Sequence, residues 1–511
     1  MSKALSISAA LLLAGLSLTS LSAAQAATIT IGTDVDAGTL DPRLARDTTA
    51  YRATDLLFSG LVHLTPSLEA KPDLAESWEN PNPTTWIFKL RPNLKFSDGS
   101  PLTSADVVFT FTTILDPKFN APQRALYAPI SAIEAVDPLT VKFTLSAPYA
   151  PLLSYLDIGI VSKALVEGGA DMALKPVGAG PMKLASWTRG SAIEMEANPN
   201  YWGAKPKVDK LSLKIIGDGS ARAQAFEAGD LDAIQSPLAP QDITRLEADS
   251  RFGHAIQAGL GVTYVNFNTK DPLLASPKMR KAFSMLIDQS TIVNDIYQGV
   301  DEVASSIILP SSWAYSKDIK QPGFDVDGAK ALFKEEGWAD TNGDGILDKD
   351  GKPLTITLST HSEDSNRVQS IEFMQATFQA AGVDAKTQIS DWPSFSTNYV
   401  QKSQHQIALL GWLNIVDPDR LLFGQLVTGG PTNWGAYSNP AVDEFLKKGR
   451  SAGTQAERAA AYQGAAKILS DELPYYIVSY QGYQLFYSKK LPFEVQANSR
   501  GYVRGMIGLT D

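Results

Sequence analysis

A continuous apolar run at residues 407–410, reading IALL, is the most informative pattern in the chain. Such a run without polar alternation is typical of a strand buried on both faces of a largely parallel sheet. It ends in Gly411-Trp412, and an acidic turn that begins at Asp417 follows. Because ligands bind at the carboxyl ends of the strands in such sheets, the pattern places Trp412 and Asp417 at a candidate binding site.

Strand-like and helix-like patterns alternate along the rest of the chain, without low-complexity tracts or a fixed-period repeat. Residues 28–31 and 211–216 alternate apolar and polar positions as strands do, whereas residues 279–286 carry apolar side chains at helical spacing. A capping box formed by Thr454 and Glu457 predicts the start of a further helix. This alternation favours an α/β fold.

The first 26 residues predict export. Lys3 precedes an apolar stretch at residues 9–16, and small residues lead to Ala24-Gln25-Ala26. This arrangement fits a signal peptide cleaved after Ala26. The apolar stretch is too short to span a bilayer by itself.

Composition narrows the class of protein further. Cysteine is absent from all 511 residues, which excludes disulfides and the lipid-carrying cysteine of an exported lipoprotein, so a free periplasmic protein is expected. Lys and Arg number 45 against 55 Asp and Glu, a net charge of −10. Nucleic acid and anionic membrane surfaces require concentrated positive charge, so neither is expected as a partner. A chain of this length should divide into at least two lobes.

Several segments carry a specific resemblance. The first spans residues 56–110 and runs from LLFSGLVHLTPSLEAKPDLAESWE through TTWIFKLRPNLKFSDGSPLTSADVVFTF. Others follow in order: GAGPMKLASW at 178–187, NPNYWG at 198–203, FEAGDLDAI at 226–234 and YVNFNTKDPLLASPKMRKAFSMLID at 264–288. In these segments the chain is similar to the family 5 solute-binding proteins of ABC importers, which include oligopeptide- and dipeptide-binding proteins.

The resemblance implies a two-lobed periplasmic-binding-protein clamp, type II and cluster C-like, with an additional domain. Mapped onto this chain, lobe one would comprise residues 27–55, 178–265 and 490–511, the additional domain 56–177, and lobe two 266–489. The implied mechanism is closure of a monomer around its ligand, followed by docking on an inner-membrane permease. A ligand shifts an open–closed equilibrium only by its preference for the closed state.

The class of ligand depends on the segment after Gly411-Trp412. Peptide-binding relatives place an Asp there to neutralise the peptide's α-amino group, whereas residues 413–416 of this chain, LNIV, carry no acid. Asp417 or Asp419 could take over that role. Because an unpaired ammonium buried in the cleft would be costly, a short peptide is the first expectation and a sugar, sugar phosphate or opine is the alternative.

Two interpretations remain open for each residue near the strand end. Trp412 either offers a flat apolar surface to a ligand or packs in the core. Asp417 precedes Pro418. Asp at the N-cap followed by Pro at the first helical position is an ordinary helix start, so Asp417 either caps a helix or contacts the ligand.

Further candidate ligand contacts lie elsewhere in the second half of the chain. Arg367 occupies a region where relatives hold the ligand's carboxylate, and a guanidinium suits a carboxylate or phosphate; a surface salt bridge is the alternative. Tyr264 and Asn266 lie where the chain should enter lobe two, at a hinge or cleft position. Trp392 and Trp434 are further aromatic candidates.

One segment resembles a calcium-binding loop. Gly345 would supply its turn, but Gly351 stands at position 12, where a bidentate Glu is needed. We therefore expect no required cofactor and, if calcium binds, a structural role for it. The candidate ligands are Asp340, Asn342, Asp344, Ile346 and Asp348.

The sequence gives little support for an enzyme. The four histidines are scattered, and neither an H-E-x-x-H pair nor a G-x-S-x-G nucleophile elbow occurs. A secreted glycoside hydrolase stays open as a different class, because paired carboxylates far apart in sequence are invisible without coordinates. We expect a binding protein without catalytic residues.

Overall fold

The structure is a computed structural model, and it describes residues 28–65, 67–235, 238–491 and 503–509. The predicted signal peptide with its cleavage point at Ala26 lies outside the described residues, as does most of segment 490–511.

The described residues form strands and helices in alternation. The strands are β1 (Thr28–Thr33), β2 (Val62–Leu64), β3 (Ala70–Pro72), β4 (Ala75–Asn82), β5 (Thr85–Leu90), β6 (Ile130–Asp137), β7 (Thr140–Leu145), β8 (Met182–Thr188), β9 (Ala192–Ala197), β10 (Lys210–Ile215), β11 (Ala233–Gln235), β12 (Phe252–Phe267), β13 (Glu302–Val303), β14 (Asp348–Lys349), β15 (Lys352–Pro353), β16 (Thr355–His361), β17 (Asp384–Ser390), β18 (Ile407–Trp412) and β19 (Tyr475–Ser488). The helices are α1 (Thr48–Leu57), α2 (Ser104–Leu115), α3 (Arg124–Tyr127), α4 (Leu152–Tyr155), α5 (Lys163–Glu167), α6 (Gly219–Ala228), α7 (Pro240–Glu247), α8 (Pro277–Met285), α9 (Gln289–Thr291), α10 (Val326–Glu335), α11 (Ser365–Ala380), α12 (Trp392–Ser396), α13 (Pro418–Leu426), α14 (Pro440–Ser451), α15 (Gln455–Glu472) and α16 (Val503–Met506), with π-helical segments at Ile292–Ile296 and Thr397–Gln401.

The patterns read from the sequence fold as predicted. The alternating segments become β1 and β10, and the segment with helical spacing becomes α8. α15 starts at the predicted capping box, in which Thr454 and Glu457 exchange side-chain and backbone hydrogen bonds. No helix in the described part of the chain combines the length and apolarity that a membrane span requires.

One mixed sheet of eleven strands runs through most of the described chain, in the order β17-β16-β18-β12-β19-β11-β1-β10-β9-β8 with β13 beside β19. β1 pairs in parallel with β10 and β11, and β16 pairs in parallel with β17 and β18. The remaining pairings are antiparallel. The expectation of a largely parallel sheet around β18 is therefore wrong, because the long antiparallel strands β12 and β19 separate two parallel groups.

The run at 407–410 is nevertheless buried on both faces. Ala408 and Leu410 pack with a cluster that contains α13, α14 and α15, whereas Ile407 and Leu409 pack with a cluster that contains α8 and α11. The sheet in this half of the molecule is thus the middle of three layers. A separate cluster around β1, β10 and α1 forms the core of the other half.

A four-stranded antiparallel sheet, β4-β5-β7-β6, forms a further body with its own hydrophobic core. Phe88, Phe111 and Phe143 pack edge to face at its centre. Leu260 and Val416, from outside this body, reach into the same core and attach it to the rest of the molecule.

β12 and β19 connect the two halves of the large sheet. Residues 252–258 of β12 pair with residues 482–488 of β19, which also pair with β11. After a register shift between Ala258 and Val262, residues 262–267 pair with β18 and with residues 475–480 of β19. A bulge of this kind interrupts the ladder and bends the strands, so residues 259–261 mark the junction between the halves.

Candidate functional site

Strand polarity places a cleft at this junction. β11 runs parallel to β1 and antiparallel to β19, so the carboxyl ends of β1, β10 and β11 point toward the junction. β18 runs antiparallel to β12, with Trp412 opposite Val262, so the carboxyl ends of β16, β17 and β18 point toward the junction from the other side. Two sets of strand ends therefore face each other, which is the arrangement that holds ligands in α/β proteins.

Trp412 lies at the end of β18 as predicted. Its ring is half-buried and packs edge to face on Trp434, with 6.0 Å between ring centroids. Its indole Nε1–H is buried and has no hydrogen-bond partner among the described residues. An indole in this state presents both an apolar face and an unused donor. Leu413, the next residue, is 50% exposed.

Arg367 lies against the same strand end. Its side chain packs over Gly411, where a Cβ atom would collide with the guanidinium. Its Nη1 donates to His361 Nε2 over 3.0 Å, and its Nε lies 3.3 Å from Asp364. Because His361 Nε2 accepts this bond, the proton of the neutral ring lies on Nδ1 and is donated to Glu363 over 2.8 Å.

Trp392 completes this patch at the ends of β16 and β17. It is 45% exposed, and its ring lies edge to face with His361 at 5.3 Å. Its backbone N–H donates to Glu363 over 2.7 Å and is the first cause of the lowered pKa of that carboxyl. The guanidinium of Arg367, the imidazole of His361 and the exposed indole of Trp392 thus lie side by side on one wall of the cleft.

Sequence reasoning missed His361, although it ends β16 as Trp412 ends β18.

A cavity lies between this part of the molecule and α1 with the smaller sheet. It holds about 1120 Å³ of space, open solvent included, and the tip Leu413-Asn414 reaches into it. Cationic and anionic side chains both line it, and Arg504 pairs with Asp55 at 3.3 Å. Its charged lining residues are Arg46, Asp55, Asp73, Asp157 and Arg504, together with His63.

Asp417 and Asp419 do not line this cleft. Asp417 is 0% exposed, caps α13 through the backbone N–H of Asp419, and accepts two bonds from Arg458 Nη2 over 2.7 and 2.9 Å. Asp419 is held by Arg450 over 3.0 and 2.6 Å, and burial raises its pKa while Arg450 opposes the rise. Both carboxylates are already neutralised, so the expectation that either contacts a ligand is corrected to a capping and ion-pairing role.

Tyr264 and Asn266 are also placed differently from the expectation. Both lie on β12 beyond the junction and are fully buried. Tyr264 packs on Tyr475 at 4.9 Å, and burial raises its pKa. Asn266 Oδ1 lies 2.7 Å from His405 Nε2. Neither side chain reaches the cleft. Tyr264 packs in the cluster that contains α13, α14 and α15, and Asn266 is buried. Trp434 is half-buried behind Trp412 and supports it.

The calcium-like loop forms a turn between α10 and β14. Asp340 accepts backbone N–H bonds from Gly343 and Gly345, and Asp348 accepts from the N–H and hydroxyl of Thr341. These bonds close the loop on itself. Within the described ranges, no group of three acidic or histidine side chains is arranged to hold a metal ion. Calcium binding by this loop stays a prediction.

Comparison with known proteins gives a consistent family. The family model described as bacterial extracellular solute-binding proteins, family 5 Middle, matches residues 69–434. The dipeptide-binding protein of Escherichia coli is 28% identical over 510 residues, covering 91% of this chain and 92% of that protein.

Two solved structures have the same fold. The oligopeptide-binding protein AppA from Bacillus subtilis, in complex with a nonapeptide, is 25% identical with a TM-score of 0.77, covering 94% of this chain and 98% of that one. NikZ from Campylobacter jejuni, in complex with Ni(L-His), is 27% identical with a TM-score of 0.76, covering 93% and 97%.

Proposed function

The chain belongs to the bacterial extracellular solute-binding proteins of family 5, and we propose that it captures a short peptide in its interlobe cleft and delivers it to an inner-membrane ABC permease. The family consists of solute-binding transport proteins. The observation that carries the proposal is the convergence of strand ends from both halves on one cleft, with Arg367, Trp392 and Trp412 on one wall.

Arg367 supports a ligand that carries a carboxylate. A planar guanidinium binds a carboxylate through two parallel hydrogen bonds, and His361 holds it in place from one side. Trp412 offers a ring face and an indole N–H beside it. A peptide presents a carboxylate and main-chain carbonyl acceptors together, which matches these groups.

A non-peptide ligand is the second candidate, and one observation favours it. Ile415 and Val416 are buried in two different cores, and the tip Leu413-Asn414, in which only Leu413 is exposed, carries no charge. An α-amino group near Trp412 would therefore find no acid within residues 413–416. A sugar, sugar phosphate or opine does not require an acid there.

Native mass spectrometry of protein purified from the periplasm separates the two candidates, because a tightly bound ligand is released and fragmented in the same experiment. Short peptides of mixed sequence would establish peptide binding. A single sugar-like or phosphorylated species would establish the second candidate. Stoichiometric binding without turnover is expected, and hydrolysis of candidate glycosides would contradict the transport role.

Two substitutions place the recovered ligand in the cleft. Trp412→Ala and Arg367→Met should each weaken its binding at least tenfold in isothermal titration without unfolding the chain. Arg245→Met is the matched control, since Arg245 lies on α7 and pairs there with Glu227 and Asp242. Unchanged affinity in Trp412→Ala would remove Trp412 from the site.

We further propose a monomer exported to the periplasm and cleaved near Ala26, with no lipid anchor because the chain has no cysteine. N-terminal sequencing of the secreted protein tests the cleavage point, and light scattering tests the monomer.

Calcium titration monitored by thermal unfolding tests the loop at residues 340–348, where a saturable rise in melting temperature would show a structural ion.

A further inference from the structure

A second cavity lies at the outer edge of the large sheet, beneath α12 and the π-helical segment Thr397–Gln401. β17 is the last strand of the sheet on this side. The cavity, which we call the Ser359 pocket, holds about 490 Å³ of space, open solvent included. It is lined by Ser359, Gln388, Ser390, Phe395, Asn398, Tyr399, Gln404 and His405.

The Ser359 pocket has a buried floor and an exposed mouth. Ser359 and His405 are 5% and 6% exposed and form the floor. Gln388 and Gln404 are exposed and form the mouth. Ser359 stands opposite Gln388 in the register of β16 and β17, so floor and mouth lie on the same face of the sheet. A molecule from solvent can therefore enter here without passing through the interlobe cleft.

The floor carries a hydrogen-bond acceptor without a partner. His405 Nε2 lies 2.7 Å from Asn266 Oδ1, an amide oxygen that only accepts, so Nε2 carries the proton of the ring. Nδ1 of the neutral ring is then an acceptor, and it is buried with no hydrogen-bond partner among the described residues. A buried polar atom left unpaired is unfavourable, which indicates a donor that comes from outside the chain.

The other polar side chains of the pocket are likewise available. Within the described ranges, Ser359 makes no side-chain hydrogen bond, and the same holds for Gln388, Ser390, Asn398 and Gln404. Two serine hydroxyls and three amides thus line the same pocket as the histidine acceptor. Together they offer both donors and acceptors to one small molecule.

The chemistry of the walls selects an uncharged ligand. No Asp, Glu, Lys or Arg lines the pocket, and burial lowers the pKa of His405 to about 3, so the ring is neutral at physiological pH. An ion would enter without a counter-charge, which is costly. Phe395 and Tyr399, stacked with 5.1 Å between centroids, supply an apolar wall. Hydroxyls, amides and stacked rings without charge suit a molecule with many hydroxyl groups.

We propose that the Ser359 pocket binds a small, uncharged, hydroxyl-rich molecule, a polyol or monosaccharide, independently of the interlobe cleft. One hydroxyl of the ligand donates to His405 Nδ1, and others exchange hydrogen bonds with Ser359 and the amides at the mouth. The carbon face of the ligand lies on Phe395 and Tyr399.

Nitrogen NMR of protein labelled with ¹⁵N-histidine tests this assignment, with glycerol and D-glucose as probes. We expect a saturable shift of the His405 Nδ1 resonance with at least one probe, because a new hydrogen bond forms at that atom. Ser359→Leu, which fills the floor, should weaken the probe at least tenfold. Arg46→Ala, in the cavity at the cleft and away from the Ser359 pocket, should change its affinity by less than twofold.

Two results would overturn the proposal. Absence of a saturable shift with both probes would mean that the pocket holds ordered water only. Binding lost in Arg46→Ala and retained in Ser359→Leu would mean that the probe sits in the cleft. If Ser359→Leu does not fold, Gln404→Leu at the exposed mouth replaces it and should weaken the probe severalfold. Since the cleft ligand is identified separately by mass spectrometry, failure here leaves the proposed transport function untouched.

Discussion

Three buried charged side chains, Asp417, Asp419 and Arg458, and the half-buried Arg450 lie together where α13 meets α14 and α15. Arg458 binds Asp417 and Arg450 binds Asp419, while the Tyr462 hydroxyl lies between the pairs. Ser154 of the smaller sheet's body donates to Asp417 over 3.2 Å. Removal of one member of a buried pair leaves its partner's charge without compensation. These carboxylates therefore belong to stability rather than to ligand recognition.

Asp417→Ala should lower the free energy of unfolding by roughly 3–5 kcal/mol, since it leaves Arg458 buried without its counter-charge and removes the cap of α13. Urea denaturation measures the change. Affinity of the folded fraction for its ligand should stay within about twofold, because the carboxylate does not face the cleft.

Two controls sharpen that result. Glu134→Ala removes an exposed ion pair with Lys142 and should cause a far smaller loss of stability. The double variant Asp417→Asn with Arg458→Met should recover part of the loss, because both charges are gone. A large drop in ligand affinity with normal stability would instead restore Asp417 as a ligand contact.

Asp301 gives a pH-dependent prediction. It accepts hydrogen bonds from the Ser479 hydroxyl over 2.5 Å and the Gly482 N–H over 3.1 Å, on β19 beside the junction. Burial raises its pKa to about 6; the two hydrogen bonds and Arg367 oppose the rise, and Asp364 adds to it. Between about pH 4 and 6 the folded chain keeps this proton and the unfolded chain loses it, so this contribution to stability falls as pH rises.

Asp301→Asn should abolish that contribution. Between pH 4 and pH 7 wild type should lose about 2 kcal/mol of unfolding free energy relative to the variant, because a pKa shift of one unit corresponds to 1.36 kcal/mol and part of the change lies below pH 4. Urea denaturation at four pH values measures it. Parallel stability curves for the two proteins would contradict the raised pKa.

Prediction from sequence succeeded at single residues where local chemistry decides the outcome. Asp417 before Pro418 fits a helix start, and the structure shows that cap. Trp412 follows an apolar run and was predicted at the carboxyl end of a strand, which is where β18 ends. The placement of Tyr264 and Asn266 could not be predicted, because the position of each residue against β19 depends on two register shifts in β12, at 259–261 and between Thr263 and Tyr264.

At the scale of elements, the segment that leads into β8 is in close backbone contact with the end of α1. Gly178 and Gly180 lie against the end of α1, and Gly180 donates its N–H to the Leu57 carbonyl over 3.1 Å. A Cβ atom at either glycine would collide with the carbonyl oxygens of Leu57 and Leu56. Backbone cannot move aside as a flexible side chain does, so these glycines fix how α1 and β8 pack.

Gly178→Ala should therefore destabilise the protein by roughly 3 kcal/mol, the upper part of the usual range for overpacking. Thermal unfolding measures it. Gly323→Ala is the matched control, since nothing lies within 4 Å of its added methyl group, and it should leave the melting temperature nearly unchanged. Equal effects of the two substitutions would show that lost chain flexibility rather than collision is responsible.

Elements with their own local signals were predictable, and those defined by pairing were not. α15 has a capping box and a regular apolar face, both written in adjacent residues. β12 has 16 residues because it serves two groups of partners, and nothing within residues 252–267 states that the partners change at the bulge. The Ser359 pocket escaped prediction for the same reason, since its lining comes from three separate segments.

At the scale of the whole molecule, ligand binding should be visible as compaction. Among the described strands, only β12 and β19 pass through the register shift that joins the halves of the large sheet, so we expect the halves to rotate about residues 259–261 when a ligand binds. Small-angle X-ray scattering of protein stripped by partial unfolding, and again after addition of the recovered ligand, should show a smaller radius of gyration in the loaded form. Trp412→Ala at the same ligand concentration should stay extended. Identical scattering with and without ligand would contradict closure.

The placement of β11 between β1 and β19 also governs when the chain can fold. Thr30 donates its N–H to the carboxylate of Asp232, so β1 waits for β11, about 200 residues further on. β11 in turn pairs with β19 through Ala233 and Tyr487, about 250 residues beyond it. Contacts so distant in sequence form late, because long loops must close first. During synthesis this half of the protein stays incomplete until β19 has emerged. The smaller sheet, whose strands all lie between residues 75 and 145, has no such delay.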